Sequence, residues 1–498
     1  MPNAVLKHVC AYCELNVSSG KIKNMRKYRN PILLCDYSDP DVIRVGKTFY
    51  MTASSFNFVP GLPLLKSQNL VDWTLVNYAA KKIELPFYEG VQNAKGIWAP
   101  SLRFHNGLFY IFFATPDEGI FETHAEDFEG EWSQWNCVWR GKGFIDPYPV
   151  WLDDGEDKKN GHGKIYLVHG YAKSRIGFNS KLGILELDKN LKAVTEDKII
   201  FDGTKTQPTI EGPKIYKRGG FFYIFAPAGG VTQGWQTVLR SKNIFGPYEE
   251  KIVLAQGKSK INGPHQGGYV ETESGVGYFL HFQDAGIYGR ITHLQPVKWA
   301  EDWPLMGSAA VENKDKTGEP LEEYFVPFDG DSEDEEAHED GTFRVKSGVS
   351  EFQFSGNAGI DSLSSSQADS SSSLRAQRSN LISDKAEERH GIIFLGNEYS
   401  ALEVEKRTDG FYLSQIVSSG SEKGDDTRKE NTVFEEKLAL GVKSVLLKMR
   451  FEGSAENARL GKIIFSCRTQ GAHGEIEFES SPFQTENAHW VGGRFGFF

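Results

Sequence analysis

Apolar and polar positions alternate with a period of two through most of the first three hundred residues, and no helical periodicity of useful length interrupts them. Five segments repeat one pattern: a strand starting beside Pro or Gly, a polar turn, then a second strand rich in Tyr, Phe and Ile. They are DPDVIRVGKTFYMTAS from Asp39, APSLRFHNGLFYIFFA from Ala99, DPYPVWLDDG with GKIYLVHG from Asp146, EGPKIYKRGGFFYIFAPA from Glu211, and HQGGYVETESGVGYFLHF from His265. The turns (VGK, HNG, DDG, KRGG, ESG) carry the Gly and Asn that supply left-handed backbone positions, which is hairpin chemistry. Starts spaced by 60, 47, 65 and 54 residues suit four-stranded units arranged radially. The pattern predicts an all-β chain whose residues 29–306 form a five-bladed β-propeller, with an array of β-sandwiches as the competing architecture.

Outside that span the pattern changes twice. Residues 1–28 lack an apolar stretch and read as a disordered tail, with Met25 a second candidate start. Residues 307–390 turn polar. Asp331–Asp340 holds seven acidic residues in ten, and Asp361–Asn380 holds nine Ser in twenty. Such a stretch buries too little apolar surface to offset its ordering entropy and reads as a largely disordered linker. A calcium-binding loop is the alternative, but the acidic run lacks the spaced ligands and central Gly of one. Alternation returns from Gly391 in GIIFLG, ALEVEKR, FYLSQIV, SVLLKMRF, KIIFSC and EIEFES, so 391–498 reads as antiparallel strands of a β-sandwich.

Composition narrows the function. The net charge of −11 disfavours nucleic acid and anionic membrane as partners, since both call for a basic surface. Ten Trp, 19 Tyr and 34 Phe suit a large β core or a surface of stacked rings. Five cysteines are too few for a disulfide scaffold, and the lone Cys10/Cys13 pair reads as ordinary tail thiols rather than a zinc or redox site. No run of about 18 apolar residues suggests a membrane span, and no secretion signal is visible, so the expectation is a cytoplasmic protein. Oligomeric state is left open.

In a propeller the first strand of each blade lines the central channel, so the repeat starts Asp39, Ala99, Asp146, Glu211 and His265 converge on one axis. Three carboxyls there are hard to explain as packing, and held close together they push each other's pKa values apart. A protonated acid beside an ionised base is what cleavage of a glycosidic bond requires. Asp39 or Asp146 alone also reads as an Asx-turn before Pro, and Glu211 alone is no stronger a signal. Asp41, just past the strand start, and Asp154, in the DDG turn, read as such local structure.

On these residues the sequence resembles glycoside hydrolase family 43, the five-bladed β-xylosidases and α-L-arabinofuranosidases. NPILLCDYSDPDVIRVGKTFYMTASSF is similar to the family's opening motif, IDPYPVWLDDG to its second acidic motif, and TIEGPKIYKRGGFFYIF to its general-acid motif. SQNLVDWTLV, GIWAPSLRFHNGLFYIFF, GPHQGGYVETESG and YGRITHLQPVKWAEDWP continue the likeness over about residues 29–306. The resemblance implies Asp39 as general base, Glu211 as general acid, and Asp146 as the group that raises the pKa of Glu211 and orients the sugar. It implies hydrolysis in one step with inversion, the two catalytic carboxyls standing about 6.5–9.5 Å apart. Phe56 and Trp98 are candidate walls for the sugar, with core packing as the rival for each. Arg290 in YGR is a candidate contact to substrate hydroxyls, with a structural ion pair as the rival. His265 is implied to border a central ion or water cluster, where a calcium or sodium would be held mostly by water; no cofactor is required.

The C-terminal part is similar to the family's accessory concanavalin-like sandwich only in its later half, in GIIFLGNEYSALEVEKR and FQTENAHWVGGRFGFF, so an incomplete sandwich is expected. The implied function is exo-acting release of xylose or arabinose from plant-type oligosaccharides. The alternatives are an endo-acting arabinanase or xylanase, or a non-catalytic carbohydrate-binding propeller. A sucrose- or fructan-cleaving propeller is disfavoured, because SDPD and EGP stand where NDPNG and an EC motif are expected.

Overall fold

Five antiparallel sheets of four strands succeed one another in chain order, at residues 41–80, 98–140, 144–202, 214–255 and 265–306. In the computed structural model the described residues are 25–86, 88, 95–152, 163–327, 375–381, 389–396, 398–419, 429–438, 442–452, 460–471, 477–486 and 494–497. Each sheet is a plain meander, and the innermost strands are Asp41–Val45, Trp98–His105, Phe144–Leu152, Lys214–Arg218 and His265–Glu271. The VGK, HNG, KRGG and ESG turns fall between first and second strands as the sequence predicts. In KRGG, Gly219 and Gly220 adopt φ of +57° and +82°, a conformation that other residues adopt only under strain.

Each neighbouring pair of blades encloses its own apolar cluster. Leu64, Leu102 and Phe113 pack between blades one and two; Phe112, Leu167 and Leu185 between two and three. Val168, Ile184, Ile224 and Leu239 fill the next gap, and Phe225, Val238, Phe279 and Val297 the fourth. The ring closes where Val42, Met51 and Leu65 of blade one meet Val270, Leu280 and Leu294 of blade five. The five-bladed propeller is therefore held by sheet-to-sheet burial, each strand offering one face to each neighbour.

A two-stranded ribbon ties the two ends of the ring together. Met25–Arg29 pairs antiparallel with Glu323–Pro327, while Tyr28 and Val326 enter the closing cluster. This corrects two sequence boundaries. The end of the expected tail is a strand, and the start of the expected linker holds a helix at Ser308–Glu312 and that pairing strand. Five residues per strand are too short to show a period by themselves; their order comes from pairing with a distant segment. The Tyr28 hydroxyl donates to Leu294 O at 2.8 Å inside the core. Tyr28→Phe is expected to lower unfolding stability by about 1 kcal/mol, read by chemical denaturation, and an unchanged midpoint would count against the bond.

The C-terminal region is two five-stranded sheets face to face. One contains Arg375–Leu381, Val442–Glu452, Leu460–Gly471, Glu477–Glu479 and Phe483–Glu486; the other contains Arg389–Leu395, Tyr399–Arg407, Gly410–Ser419, Lys429–Lys437 and Arg494–Phe497. Ile392, Phe394, Leu402, Leu447, Ile463 and Phe465 form the core between them. The sandwich gains a strand from outside its expected bounds. A strand inside the presumed linker, RAQRSNL, supplies an edge through backbone pairing with Val442–Glu452, which its polar sequence does not advertise. The acidic run, residues 361–374 of the Ser-rich run, Cys10, Cys13 and Asp154 lie outside the described residues.

Candidate active site

The starts of the inner strands share an unusual backbone. Asp39, Ala99, Asp146, Gly212 and Gln266 have φ of 53°, 24°, 56°, 55° and 31°. Four of these residues precede Pro, which ordinarily holds its predecessor in an extended conformation, so each non-glycine among them stores strain. The common position also corrects the repeat alignment. In blades four and five the kinked residues are Gly212 and Gln266, each one beyond the start that the repeat suggests. Glu211 and His265 share this one-residue offset on adjacent blades, and His265 Nε2 lies 2.9 Å from Glu211 Oε1.

Asp39 is 4% exposed and is held by three side chains. Ser54 Oγ donates to Oδ2 at 2.5 Å and Ser38 Oγ at 3.0 Å, while Arg290 Nη1 stands 3.3 Å from Oδ1. Ser38 in turn accepts from Arg290 at 2.7 Å, and Ser54 accepts from the Ala99 amide at 2.7 Å. Arg290 thus makes the ion pair of its rival reading, and the partner is the candidate base. Its guanidinium also lies over the Phe282 ring, 4.7 Å from the centroid.

Asp146 is buried beside the other two acids, and its Oδ2 accepts the Gly212 amide at 2.7 Å. Burial, then repulsion from Glu211 and Asp39, lifts its carboxyl well above the usual range, against the pull of the Gly212 N–H and of Lys214. The resemblance assigns Asp146 the role of tuning its neighbour, but in the structure Asp146 is itself tuned. Repulsion is mutual, whereas desolvation is not: Glu211 keeps 29% of its side chain exposed.

Phe56 and Trp98 are brought together, 6.4 Å between ring centroids, in a cluster with Ile145 and Ala172 next to the acids. Exposures of 3% and 8% leave little ring face free, and Arg175 lies over Trp98 at 4.9 Å. The residues around His265 do not form a cation cage. Its Nε2 faces Glu211, its buried Nδ1 has no protein partner, and no three ligating side chains converge among the described residues. They do not fit a protein-built calcium or sodium site.

Sequence reasoning missed Ser38, Ser54, Arg103 and Lys214, and it read Asp41 as a local turn. Asp41 is instead fully buried, accepting from the Leu102 amide at 2.7 Å and from Arg103 at 2.9 Å. The available signal was an acid on an inner strand buried on both faces, which needs a cation. The sandwich also reaches this region. Tyr288, in the short turn Gly286–Tyr288 just before Arg290, packs against the sandwich core.

The sequence model of glycosyl hydrolases family 43 matches residues 28–304, all but the last two residues of the propeller, with its three acids. The chain belongs to this family. A Xylanibacter ruminicola protein carrying a beta-xylosidase name is 40% identical over 305 residues, covering 60% of this chain and 54% of that one. A non-reducing end alpha-L-arabinofuranosidase of Bacteroides ovatus is 29% identical over 306 residues, covering 57% and 54%. The chain spans about half the length of the curated relatives it matches. Among solved structures, a xylan beta-1,4-xylosidase of Bacillus halodurans superposes with a TM-score of 0.69 at 22% identity, covering 94% of this family 43 chain and 96% of that one. The likeness in fold therefore extends over propeller and sandwich together.

Proposed function

We propose that this family 43 protein is an exo-acting glycosidase that removes xylose or arabinose from plant-type oligosaccharides by single displacement with inversion. The observation that carries the reading is the placement of Asp39, Asp146 and Glu211 at the heads of three inner strands, close enough that Asp146 is repelled by both of the others. Asp39, fixed by two hydroxyl donors and the Arg290 cation, is the carboxylate that takes a proton from water as the water attacks the anomeric carbon. Glu211, the most open of the three, protonates the departing oxygen while His265 fixes its orientation. Asp146, buried with a raised pKa, holds a proton within the cluster and offers a hydroxyl to the sugar. The edge of Trp98 and the guanidinium of Arg290 are the proposed sugar contacts, with Phe56 packed behind Trp98. Relatives named for xylosidase and for arabinofuranosidase activity support either sugar.

The test is hydrolysis of 4-nitrophenyl β-D-xyloside and α-L-arabinofuranoside, with the first-formed anomer followed by proton NMR. Release of sugar with inverted configuration is expected. A retained configuration would overturn the role of Asp39, and binding of oligosaccharides without hydrolysis would favour a non-catalytic propeller.

A further inference from the structure

Four consecutive residues ahead of the first blade grip one residue of the fifth. Asp36 Oδ1 accepts the Arg290 amide at 2.8 Å, and the Tyr37 amide donates to Arg290 O at 3.1 Å. Ser38 Oγ accepts from Arg290 Nη1 at 2.7 Å, and Asp39 Oδ1 stands 3.3 Å from the same nitrogen. Backbone and guanidinium of one arginine are thus tied to a single tetrapeptide. An acid in a loop often does no more than cap its own turn. The amide that Asp36 accepts belongs instead to the fifth blade, 254 residues away in the chain.

Gly289 shows how closely the two segments approach. Its φ is +78°, and a Cβ there would lie 2.5 Å from Cβ, Cγ and Oδ1 of Asp36. Glycine at this position lets the Arg290 amide reach the carboxyl. The turn leading in is closed by the Ala285 amide on Gly289 O at 2.9 Å and by the Gly286 amide on Asp284 Oδ1 at 3.1 Å. An arginine side chain is long and rich in rotamers, so its tip is placed only as well as its backbone is. Arg290 Nε is buried and has no hydrogen-bond partner among the described residues. The Phe282 ring, 4.7 Å away, presents a face along which a guanidinium can slide. The direction of Nη1 toward Ser38 and Asp39 is therefore set from the backbone end, where Asp36 holds the amide. Ser54 and Ser38 fix Oδ2 of Asp39, and among the described residues Arg290 is the donor that faces Oδ1.

We propose that Asp36 is a positioning residue for the candidate base: by holding the Arg290 amide it sets where the guanidinium meets Ser38 and Asp39. The inference rests on the glycosidase reading for its kinetic measurement only. On the two 4-nitrophenyl glycosides, Asp36→Ala is expected to lower kcat/KM by about tenfold or more, the scale of a small misplacement near the reacting groups. In an Arg290→Ala background the same change should cost less than about twofold, because no guanidinium is left to place. Asp36→Asn, which keeps an oxygen acceptor for the amide, should stay within about twofold of wild type. A purely structural acid would cost the same factor in both backgrounds. Equal factors, an undiminished kcat/KM in Asp36→Ala, or an Asp36→Asn as impaired as Asp36→Ala overturns the proposal. If Asp36→Ala does not fold, Asp36→Glu replaces it in the cycle, since one more methylene carries the carboxyl off the amide, and the same comparison decides. A crystal structure of the replacing variant is the measurement independent of activity. Arg290 Nη1 should lie beyond about 3.5 Å from Ser38 Oγ, outside hydrogen-bond reach, and a retained contact overturns the proposal. A wild type inactive on both aryl glycosides overturns the glycosidase reading; that crystal structure then judges Asp36 alone, as it does if Arg290→Ala shows no turnover.

Discussion

Glu211→Gln is expected to lose about three orders of magnitude in kcat on unactivated xylo- or arabino-oligosaccharides, the range that one general acid supplies. The loss should shrink sharply on 2,4-dinitrophenyl glycosides, whose leaving group departs without a proton. The physical basis is the position of Glu211. It is the acid with an open side, at 29% side-chain exposure, and one oxygen is held by His265, which leaves the other for the leaving group. Gln keeps the shape and the contact but has no proton to give. Steady-state kinetics on both substrate classes is the check, and an equal loss on the two would reject the acid assignment. Asp39→Asn, by contrast, should impair both classes alike, because activating the water is needed whatever the leaving group.

Acidification is expected to destabilise the propeller through a histidine pair that takes no part in the chemistry. His281 and His293 face each other across the second and third strands of blade five, with rings stacked at 5.3 Å and both side chains buried. Among the described residues, His281 Nε2 and both nitrogens of His293 lack hydrogen-bond partners. Burial pulls His281 down from 6.5 to about 4, and burial together with the nearness of His281 lowers His293 well below the usual histidine value. A depressed histidine pKa means that the unfolded chain binds the proton more tightly. Stability is therefore full above the unfolded value near 6.5 and is lost as pH falls toward 4. The shift at His281 alone corresponds to about 3 kcal/mol by the usual linkage. The thermal midpoint should drop by several degrees across that window, and a His281→Leu/His293→Leu variant should give a flatter curve. Parallel curves for the two proteins would remove the pair as the cause.

Much of the site was legible because it rests on local chemistry. Asp39-Pro40 and Asp146-Pro147 mark strand starts, and the Gly-bearing turns mark the hairpins that those strands open. The one-residue offset of Glu211 and His265 was also in reach: Gly212-Pro213 is the dipeptide that lines up with the other X-Pro steps. Ser38 and Ser54 were not legible, since a serine becomes a carboxylate donor only when a particular acid is placed against it. The ribbon of Met25–Arg29 with Glu323–Pro327 was hidden for a similar reason: nearly three hundred residues separate strands that have no meaning apart.

Blade number, turn positions and the three acids at the channel could be read from the chain alone, because each obeys a short-range rule: period two, turn residues, or a carboxyl just before Pro or Gly-Pro. Folding in three dimensions was needed to settle which acid is most deeply desolvated and which cation answers which carboxyl. It also brought a polar segment from the presumed linker into the sandwich as an edge strand. Those outcomes depend on burial and on distances between residues far apart in the chain, and electrostatic energy in a partly dry interior is set by such distances rather than by composition.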